Sequence, residues 1–224
     1  MSNSIIKIYV EGRNEIATLN LIDGSRVYKE KLVSKFGKQY RIWDPYRSKL
    51  AAALIKGLKD LPAIDGLNVL YLGASTGTTV SHLSDIVGIT GRIFAVESSA
   101  RVARELIENV SSKRVNIIPI IEDARKPRNY FSIFDKVDLV YCDIAQPDQT
   151  RIAIENCRIY LKNEGIMILI IKTRSIDVTL KPQKVIRQEV VKLQNSSFEI
   201  LQVINLDPFD KDHGLVSAIY RSTH

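Results

Sequence analysis

The 224-residue sequence has no apolar run long enough to cross a membrane as a helix. A membrane-spanning helix needs about 18 or more predominantly apolar residues, whereas the longest apolar run here, residues 166–171, suits a buried strand. The N-terminal segment MSNSIIKIYVEGRNE also lacks a basic stretch followed by an apolar one, so we expect no signal peptide. These absences predict a cytoplasmic location and no membrane partner.

Cysteine and histidine are scarce, with two cysteines, Cys142 and Cys157, and three histidines in the chain. Neither cysteine belongs to a spacing typical of a metal site, and two cysteines do not make a disulfide framework. We therefore interpret both as buried thiols in a reducing compartment and expect no metal site.

The charge is unevenly distributed along this basic chain, whose net charge is +7 and whose isoelectric point is about 9.3. Residues 1–60 contain 12 lysine or arginine residues against 6 acidic ones, whereas residues 61–150 contain 9 against 11. A basic segment joined to a nearly neutral body favours a polyanionic partner such as nucleic acid. Charge alone leaves open a mildly basic protein with no such partner.

Residues 1–45 read as short strands and predict a small N-terminal β domain. The runs IIKIYV, IATLNL and VYKEKLV are rich in β formers, and Asp23-Gly24 between the last two predicts a hairpin turn. Phe36-Gly37 predicts a second turn. Pro45 then marks a boundary, and the helical spacing of SKLAAALIKGL begins the second predicted domain, residues 46–224.

After residue 66 the pattern predicts an α/β fold with a mostly parallel sheet. Apolar runs alternate with amphipathic helices, which is typical of parallel strands covered on both faces. The predicted strands are residues 68–72, 92–96, 116–121, 138–142, 165–171, 200–206 and 215–220, and the predicted helices lie near residues 78–87, 99–110, 148–160 and 182–195. The last two strands are joined by DPFDKDHG as a hairpin, so one of them must run antiparallel. This arrangement resembles the class I methyltransferase variant of the Rossmann fold.

A glycine-rich turn follows the first strand of this sheet, from Gly73 to Gly77. Such a turn lets the backbone approach a ligand closely, and the helix after it offers free N–H groups to an anion. The motifs G-x-G-x-x-G and G-K-[S/T] are both missing, which argues against NAD and against a P-loop. The hydroxyl groups of Thr78 and Thr79 could hold a smaller anion, such as the carboxylate of a methionine derivative.

Three acidic residues follow three successive strands. Glu97 lies about 20 residues past the glycine turn, where a carboxylate can accept both ribose hydroxyls of a nucleoside. Asp123 could accept an adenine amino group, and Asp143 ends the fourth strand. Each alone is compatible with a solvated side chain or a helix cap, but together with the glycine turn they predict one nucleoside-binding crevice.

Six segments of the chain resemble fibrillarin, specifically its archaeal form. They are RIWDPYRSKLAAALIKG, NVLYLGASTGTTVSHLSDIVG, NIIPIIEDAR, DLVYCDIAQPDQTRIAIENC, IKTRSIDVT and DPFDKDHGLVSAIYR, and the resemblance extends from about residue 10 to residue 221. It implies an S-adenosylmethionine-dependent enzyme that methylates ribose 2′-hydroxyls of ribosomal and transfer RNA. It also implies a box C/D particle with a guide RNA, a substrate RNA, a Nop-domain scaffold protein and a kink-turn-binding ribosomal-type protein.

The resemblance also implies two sets of site residues. The cofactor-binding set is Gly73, Ala74, Thr78, Thr79, Glu97, Ser98, Asp123, Ala124, Asp143, Ile144, Ala145 and Gln146. The catalytic set is Lys49, Asp143, Lys172 and His213. The chain departs from the family at residue 98, where a serine replaces the usual aromatic residue and removes a stacking partner for the adenine.

Methyl transfer to a ribose hydroxyl requires removal of its proton, because a sugar hydroxyl is a poor nucleophile. Lys172 and Asp143 end neighbouring predicted strands, so Lys172 is our candidate general base, with Asp143 holding it and itself the alternative base. His213 and Lys49 would position the ribose or stabilise the developing alkoxide. Without the resemblance, Lys49 reads as a solvated helix lysine and His213 as a loop histidine.

Two other functions remain compatible with the pattern. A small-molecule O-methyltransferase would share the fold, but it would usually need a metal site or a closed apolar pocket. A non-catalytic RNA-binding scaffold could retain the fold with a relict cofactor site.

Overall fold

The computed structural model describes residues 4–10, 12–59, 61 and 65–222. The extreme ends of the two predicted domains, residues 1–3 and 223–224, therefore lie outside the described residues. Within the described part of the chain, no helix is both long and apolar enough to span a membrane.

Four short antiparallel strands form a separate N-terminal sheet. They are β1 (Ile5–Val10), β2 (Arg13–Leu19), β3 (Leu32–Lys35) and β4 (Lys38–Ile42), in the order β1-β2-β4-β3. The predicted Phe36-Gly37 turn is confirmed, because β3 and β4 pair from Lys35 opposite Lys38. Both turn residues have positive φ, 53° and 70°, as a tight hairpin connection requires.

The hairpin predicted at Asp23-Gly24 is wrong. These residues do form a turn, in which Ser25 N donates to Ile22 O at 3.0 Å, but β2 pairs with β4 and not with β3. Residues 20–31 instead form a loop, held partly by Asn20, whose side-chain amide donates to the Gln39 side chain at 2.7 Å and to Ser25 O at 3.1 Å. The loop thus fastens to β4 and leaves the edge of β2 free to pair with it.

The second sheet has seven strands in the order β10-β11-β9-β8-β5-β6-β7. They are β5 (Asn68–Leu72), β6 (Arg92–Glu97), β7 (Ile117–Ile121), β8 (Val137–Cys142), β9 (Leu161–Lys172), β10 (Phe198–Asn205) and β11 (His213–Tyr220). Only β11 among them runs antiparallel to its neighbours β9 and β10, which confirms the predicted C-terminal antiparallel strand.

Helices cover both faces of this sheet, as the alternating pattern predicts. They are α1 (Lys49–Ile55), α2 (Thr78–Val87), α3 (Ala100–Leu106), α4 (Gln149–Tyr160), α5 (Thr173–Ile176) and α6 (Pro182–Gln194). One buried cluster packs α1 and α2 on one face, and the other packs α4 and α6 on the opposite face. The predicted helix at 99–110 changes at Ile107 into a π-helical turn, Ile107–Ser111.

The strand order brings the chemically interesting residues to one edge of the sheet. Parallel β5, β6, β8 and β9 all end there, after Leu72, Glu97, Cys142 and Lys172. Because β11 is antiparallel, it begins where β9 ends, and His213 lies directly opposite Lys172 in the register. A cleft at the carboxyl ends of the strands is the expected ligand site of such a sheet.

Candidate active site

A cleft of about 270 Å³ lies at the carboxyl ends of β5, β6, β7 and β8. Most of the predicted cofactor-binding residues line it, namely Gly73, Glu97, Ser98, Asp123, Ala124, Asp143, Ile144, Ala145 and Gln146. Lys172 of the predicted catalytic set lines it as well. Ala74, Thr78 and Thr79 are not among the lining residues.

Gly73 is required by the close approach of two strand ends. Its φ is 84°, and a Cβ placed there would lie 2.8 Å from the main-chain oxygen of Asp143. The turn is tied to β6, because the amides of Gly73 and Ala74 both donate to Val96 O, at 2.9 and 3.0 Å. A side chain at residue 73 would separate the glycine turn from the β8 loop and open the floor of the cleft.

The threonine pair after the turn begins α2, but Thr79 is turned towards α1. Its side chain is buried, and its hydroxyl oxygen lies 2.9 Å from Ser48 Oγ. Ser48 is the N-cap of α1 and accepts a hydrogen bond from Ala51 N. The hydrogen bond between Ser48 and Thr79 therefore links the start of α1, which carries Lys49, to the start of α2.

Glu97 is oriented by two main-chain amides at the end of β6. Its Oε2 accepts from Ser75 N and its Oε1 from Ser99 N, both at 2.9 Å. Each carboxylate oxygen can accept more than one hydrogen bond. A carboxylate fixed in this way on the wall of a cleft suits the hydroxyls of a ribose.

Asp123 is paired with Arg125, a lining residue that the sequence analysis missed. The guanidinium donates from Nη2 to Oδ2 at 2.7 Å and from Nε to both oxygens at 2.9 and 3.1 Å. These bonds, together with that from Arg125 N, outweigh burial and hold the pKa of Asp123 below its usual value. The Arg125 side chain is half exposed, so it can turn aside when a ligand amino group needs the carboxylate.

Three of the four predicted catalytic residues are in direct contact. Lys172 Nζ lies 2.8 Å from Asp143 Oδ1 and donates to the main-chain oxygen of Asp143 at 3.0 Å. Lys49 Nζ donates to the other carboxylate oxygen, Oδ2, at 3.3 Å. All three side chains are about four-fifths buried or more, so Asp143 joins α1 to β9 at the edge of the cleft.

His213 joins this group through Asp210, an acidic residue that the sequence analysis did not select. Asp210 Oδ1 lies 2.7 Å from His213 Nδ1, and Asp210 Oδ2 lies 3.6 Å from Lys49 Nζ. Burial raises the pKa of Asp210, but the hydrogen bond from His213 and the charges of His213 and Lys49 outweigh it, and the pKa lies below its usual value. The sequence offers one hint of this role, because Asp210 lies three residues before His213 in DPFDKDHG. That segment contains three aspartates, so the sequence alone does not show which of them contacts the histidine.

The cleft fits a cationic nucleoside derivative by the chemistry of its side chains. The carboxylates of Glu97, Asp123 and Asp143 can accept hydroxyl and amino groups and balance a positive charge. Among the residues that the structure describes, no group of His, Cys, Asp and Glu is arranged to hold a metal ion.

A seven-stranded sheet with one antiparallel strand, and an acidic cleft where its first strands end, define a class I methyltransferase fold. The family model of fibrillarin matches residues 2–222. The chain therefore belongs to the fibrillarin family.

The relatives support this assignment over nearly the whole chain. A fibrillarin-like rRNA/tRNA 2′-O-methyltransferase of Saccharolobus islandicus is 52% identical over 94% of this chain and 90% of the relative. The structure of Aeropyrum pernix fibrillarin with natively bound S-adenosylmethionine superposes with a TM-score of 0.87 and 47% identity, over 96% of this chain and 92% of that one. Fibrillarin from a fibrillarin/Nop5p complex gives a TM-score of 0.86 and 39% identity over 99% of both chains.

Proposed function

We propose that this chain is an S-adenosylmethionine-dependent RNA ribose 2′-O-methyltransferase that acts on ribosomal and transfer RNA. The observation that carries the proposal is the contact of Lys49, Lys172 and Asp143 at the edge of the nucleoside-type cleft. A relative that is 52% identical carries the name of an rRNA/tRNA 2′-O-methyltransferase.

The positions of several polar groups support the proposed cofactor-binding roles. S-adenosylmethionine, when bound, supplies an activated methyl group on a sulfonium. Glu97 accepts the ribose hydroxyls, and Asp123 accepts the adenine amino group once Arg125 turns aside. Gly73 and Ala74 would form the turn beneath the ligand. From the family resemblance, Thr78 and Thr79 are assigned to its carboxylate end, and Thr79 would have to turn its hydroxyl away from Ser48 to reach it. Ser98, Ala124, Ile144, Ala145 and Gln146 complete the walls.

The contacts of Asp143 support the proposed catalytic roles. Lys172 would take the proton of the ribose 2′-hydroxyl, and the ribose oxygen would accept the methyl group that the bound cofactor supplies. Asp143 orients Lys172 through its carboxylate and is the alternative base. The Lys49 ammonium stabilises the developing alkoxide, and His213 positions the ribose.

We further propose that the chain is the catalytic subunit of a box C/D guide-RNA particle in the cytoplasm. Its partners are a Nop-domain scaffold protein, a kink-turn-binding ribosomal-type protein, the guide RNA and the substrate RNA. The Nop-domain partner is supported by the relative whose structure was solved in complex with Nop5p.

Within the chain, residues 1–45 form a small β domain and residues 46–224 the methyltransferase domain, a division supported by two sheets that share no strand.

The test is guided methylation by a reconstituted particle. The chain, both partner proteins, a guide RNA and a complementary RNA are combined with S-adenosylmethionine, and ribose methylation is mapped nucleotide by nucleotide. We expect one methylated position, which moves when the guide sequence is changed. Cofactor binding without RNA methylation, together with turnover of a small catechol, would support a small-molecule enzyme. Absence of cofactor binding by calorimetry would support a non-catalytic scaffold.

A further inference from the structure

Asp210 lies between two residues of the catalytic set that come from distant parts of the chain. Lys49 is the first residue of α1, and His213 is the first residue of β11. Asp210 precedes β11 by three residues and has one carboxylate oxygen near each of them. In this part of the chain, five side chains form a linear network in which basic and acidic groups alternate, and each is within 3.6 Å of the next. The network is His213–Asp210–Lys49–Asp143–Lys172.

We propose that Asp210 is a positioning residue of this site, which fixes the proton of His213 on Nδ1 and holds the Lys49 ammonium beside Asp143. The proposal rests on the methyltransferase function proposed above, and it assigns Asp210 no contact with the reacting atoms.

The two acceptors beside His213 Nδ1 support the first half of the proposal. Its Nδ1 lies 2.7 Å from Asp210 Oδ1 and 2.7 Å from the main-chain oxygen of Lys211. A carboxylate and a carbonyl are both acceptors, so Nδ1 must be the donor and carry the proton. Nε2 is then the nitrogen that can accept from the substrate or donate to it.

The position of Lys49 carries the second half. Its Nζ lies 3.3 Å from Asp143 and 3.6 Å from Asp210, with the side chain about four-fifths buried. Two carboxylates on two different loops restrict a flexible lysine to one position, which a single ion pair does less well. Without Asp210, Lys49 would keep only one of its two carboxylate contacts, the one with Asp143.

The first experiment reads the tautomer of His213 in the isolated chain by ¹⁵N NMR, with His213→Gln used to identify the signal. We expect the wild type to show Nδ1 protonated and Nε2 free at a pH where the ring is neutral. Neutral imidazole in water prefers its proton on Nε2. Asp210→Ala removes one of the two acceptors at Nδ1 and leaves the Lys211 carbonyl, so it should increase the Nε2-protonated fraction without making it complete. The control Asp212→Asn, which changes an exposed carboxylate that pairs with Arg174, should leave the tautomer as in the wild type.

The second experiment measures methylation by the assembled particle. Asp210→Asn should lower kcat roughly 10- to 100-fold, as expected for the loss of one charge-assisted hydrogen bond in the transition state. The KM for substrate RNA should stay within about twofold, because no binding contact is removed. Asp210→Glu should recover part of the rate, and Asp212→Asn should keep the wild-type rate. In a His213→Ala background, Asp210→Asn should have a smaller effect than alone.

The outcomes separate this proposal from the function on which it rests. An unchanged tautomer in Asp210→Ala, or an Asp210→Asn rate near that of the wild type, would overturn the role of Asp210 while the wild-type particle still methylates RNA. Equal losses of methylation rate in Asp210→Asn and Asp212→Asn would also overturn it, because the rate would then depend on the integrity of the loop and not on the Asp210 carboxylate. A wild-type particle without activity would refute the methyltransferase function, and the NMR result would still decide the tautomer claim.

Discussion

Asp143 is the residue on which the geometry of the candidate site depends most. One of its carboxylate oxygens contacts the Lys49 amine and the other contacts the Lys172 amine, so α1 and β9 are both fixed to the end of β8. Its main-chain oxygen adds a further bond from Lys172. A single carboxylate therefore determines where two amines lie relative to the cleft, and either amine can be removed separately to test its role.

The proposed role of Lys172 as general base predicts different effects from two substitutions. Lys172→Ala should slow single-turnover methylation by about 10²–10⁴-fold, the usual contribution of general acid–base catalysis. Lys172→Arg should not restore the rate, since arginine stays protonated at any working pH. The measurement is a methylation time course on the assembled particle, with calorimetry to show that cofactor binding is retained. An arginine variant within a few-fold of wild type would move the base to Asp143.

The proposed contact of Glu97 with the ribose of the cofactor predicts that its removal lowers cofactor affinity. Glu97→Ala removes the carboxylate that two main-chain amides hold on the cleft wall. Binding of S-adenosylmethionine should weaken by roughly 1–3 kcal/mol, the cost of a lost hydrogen bond to a charged group. Titration calorimetry measures this, with Glu105→Ala on the exposed side of α3 as a control that should bind like the wild type. Equal affinity in Glu97→Ala would refute the ribose assignment.

At the level of elements, a buried ionic cluster fastens the N-terminal sheet to α2. Asp85 of α2 accepts from Arg41 of β4 at 2.7 Å, from Arg114 at 2.6 Å and from the Thr18 hydroxyl of β2 at 2.8 Å. Arg41 also pairs with Glu30 at 2.6 Å, and both side chains are almost completely buried. Breaking such a cluster leaves an uncompensated buried charge, which costs about 3–5 kcal/mol. The cluster thus orients α2, which begins at the glycine turn of the cleft.

The Glu30 carboxyl predicts a dependence of stability on pH. Burial raises its pKa, but the Arg41 charge and the amides of Tyr28 and Val27 outweigh burial, so the folded-state pKa lies below the usual 4.5. Below that pH the unfolded chain binds a proton that the folded chain does not, so the contribution of Glu30 to stability is lost as the pH falls.

The variant Glu30→Gln isolates this contribution because glutamine does not titrate. It should be less stable than the wild type near neutral pH, and the difference in free energy of unfolding should shrink as the pH falls through and below the usual glutamate pKa of 4.5. Urea denaturation at several pH values measures the difference. Glu105→Gln, in an exposed ion pair, should be close to wild type throughout. A stability difference for Glu30→Gln that does not vary with pH would contradict the ion pair with Arg41.

At the scale of the whole molecule, the chain is basic but has no recognisable RNA-binding module. Its first 60 residues contain 12 lysine or arginine residues against 6 acidic ones, and an excess of this kind gives salt-dependent, sequence-independent attraction to RNA. Under the proposed function, we therefore expect the other components of the particle to select the nucleotide.

The purified chain should bind guide RNA weakly and more weakly still as salt rises. With RNA and S-adenosylmethionine alone it should not methylate at the guided position, and activity should require both the Nop-domain and the kink-turn-binding proteins. The check is an omission series in which each protein is left out in turn and ribose methylation is mapped. Guided methylation by the chain with RNA only would contradict the need for a scaffold.

The sequence by itself determined the class of the second sheet, its helices and the edge where ligands bind. The spacing of apolar residues and the composition of a segment are local properties of the sequence. Buried parallel strands have a recognisable apolar pattern, so NVLYL and DLVYC could be identified as strands without coordinates. The acids at Glu97, Asp123 and Asp143 followed because the carboxyl ends of parallel strands must share one edge. The resemblance to fibrillarin then supplied Lys49 and His213, which no local pattern distinguishes from solvated side chains.

Only the tertiary structure decided which distant polar groups meet. The Asp23-Gly24 turn has the composition of a hairpin, yet β2 pairs with β4, because strand pairing depends on partners far away in the chain. The meetings of Asp210 with Lys49 and of Asp85 with Arg41 likewise join residues more than 40 positions apart. A charged side chain has no periodic pattern that reveals its partner, so burial and pairing of such groups emerge only when the two sheets and their helices are packed together.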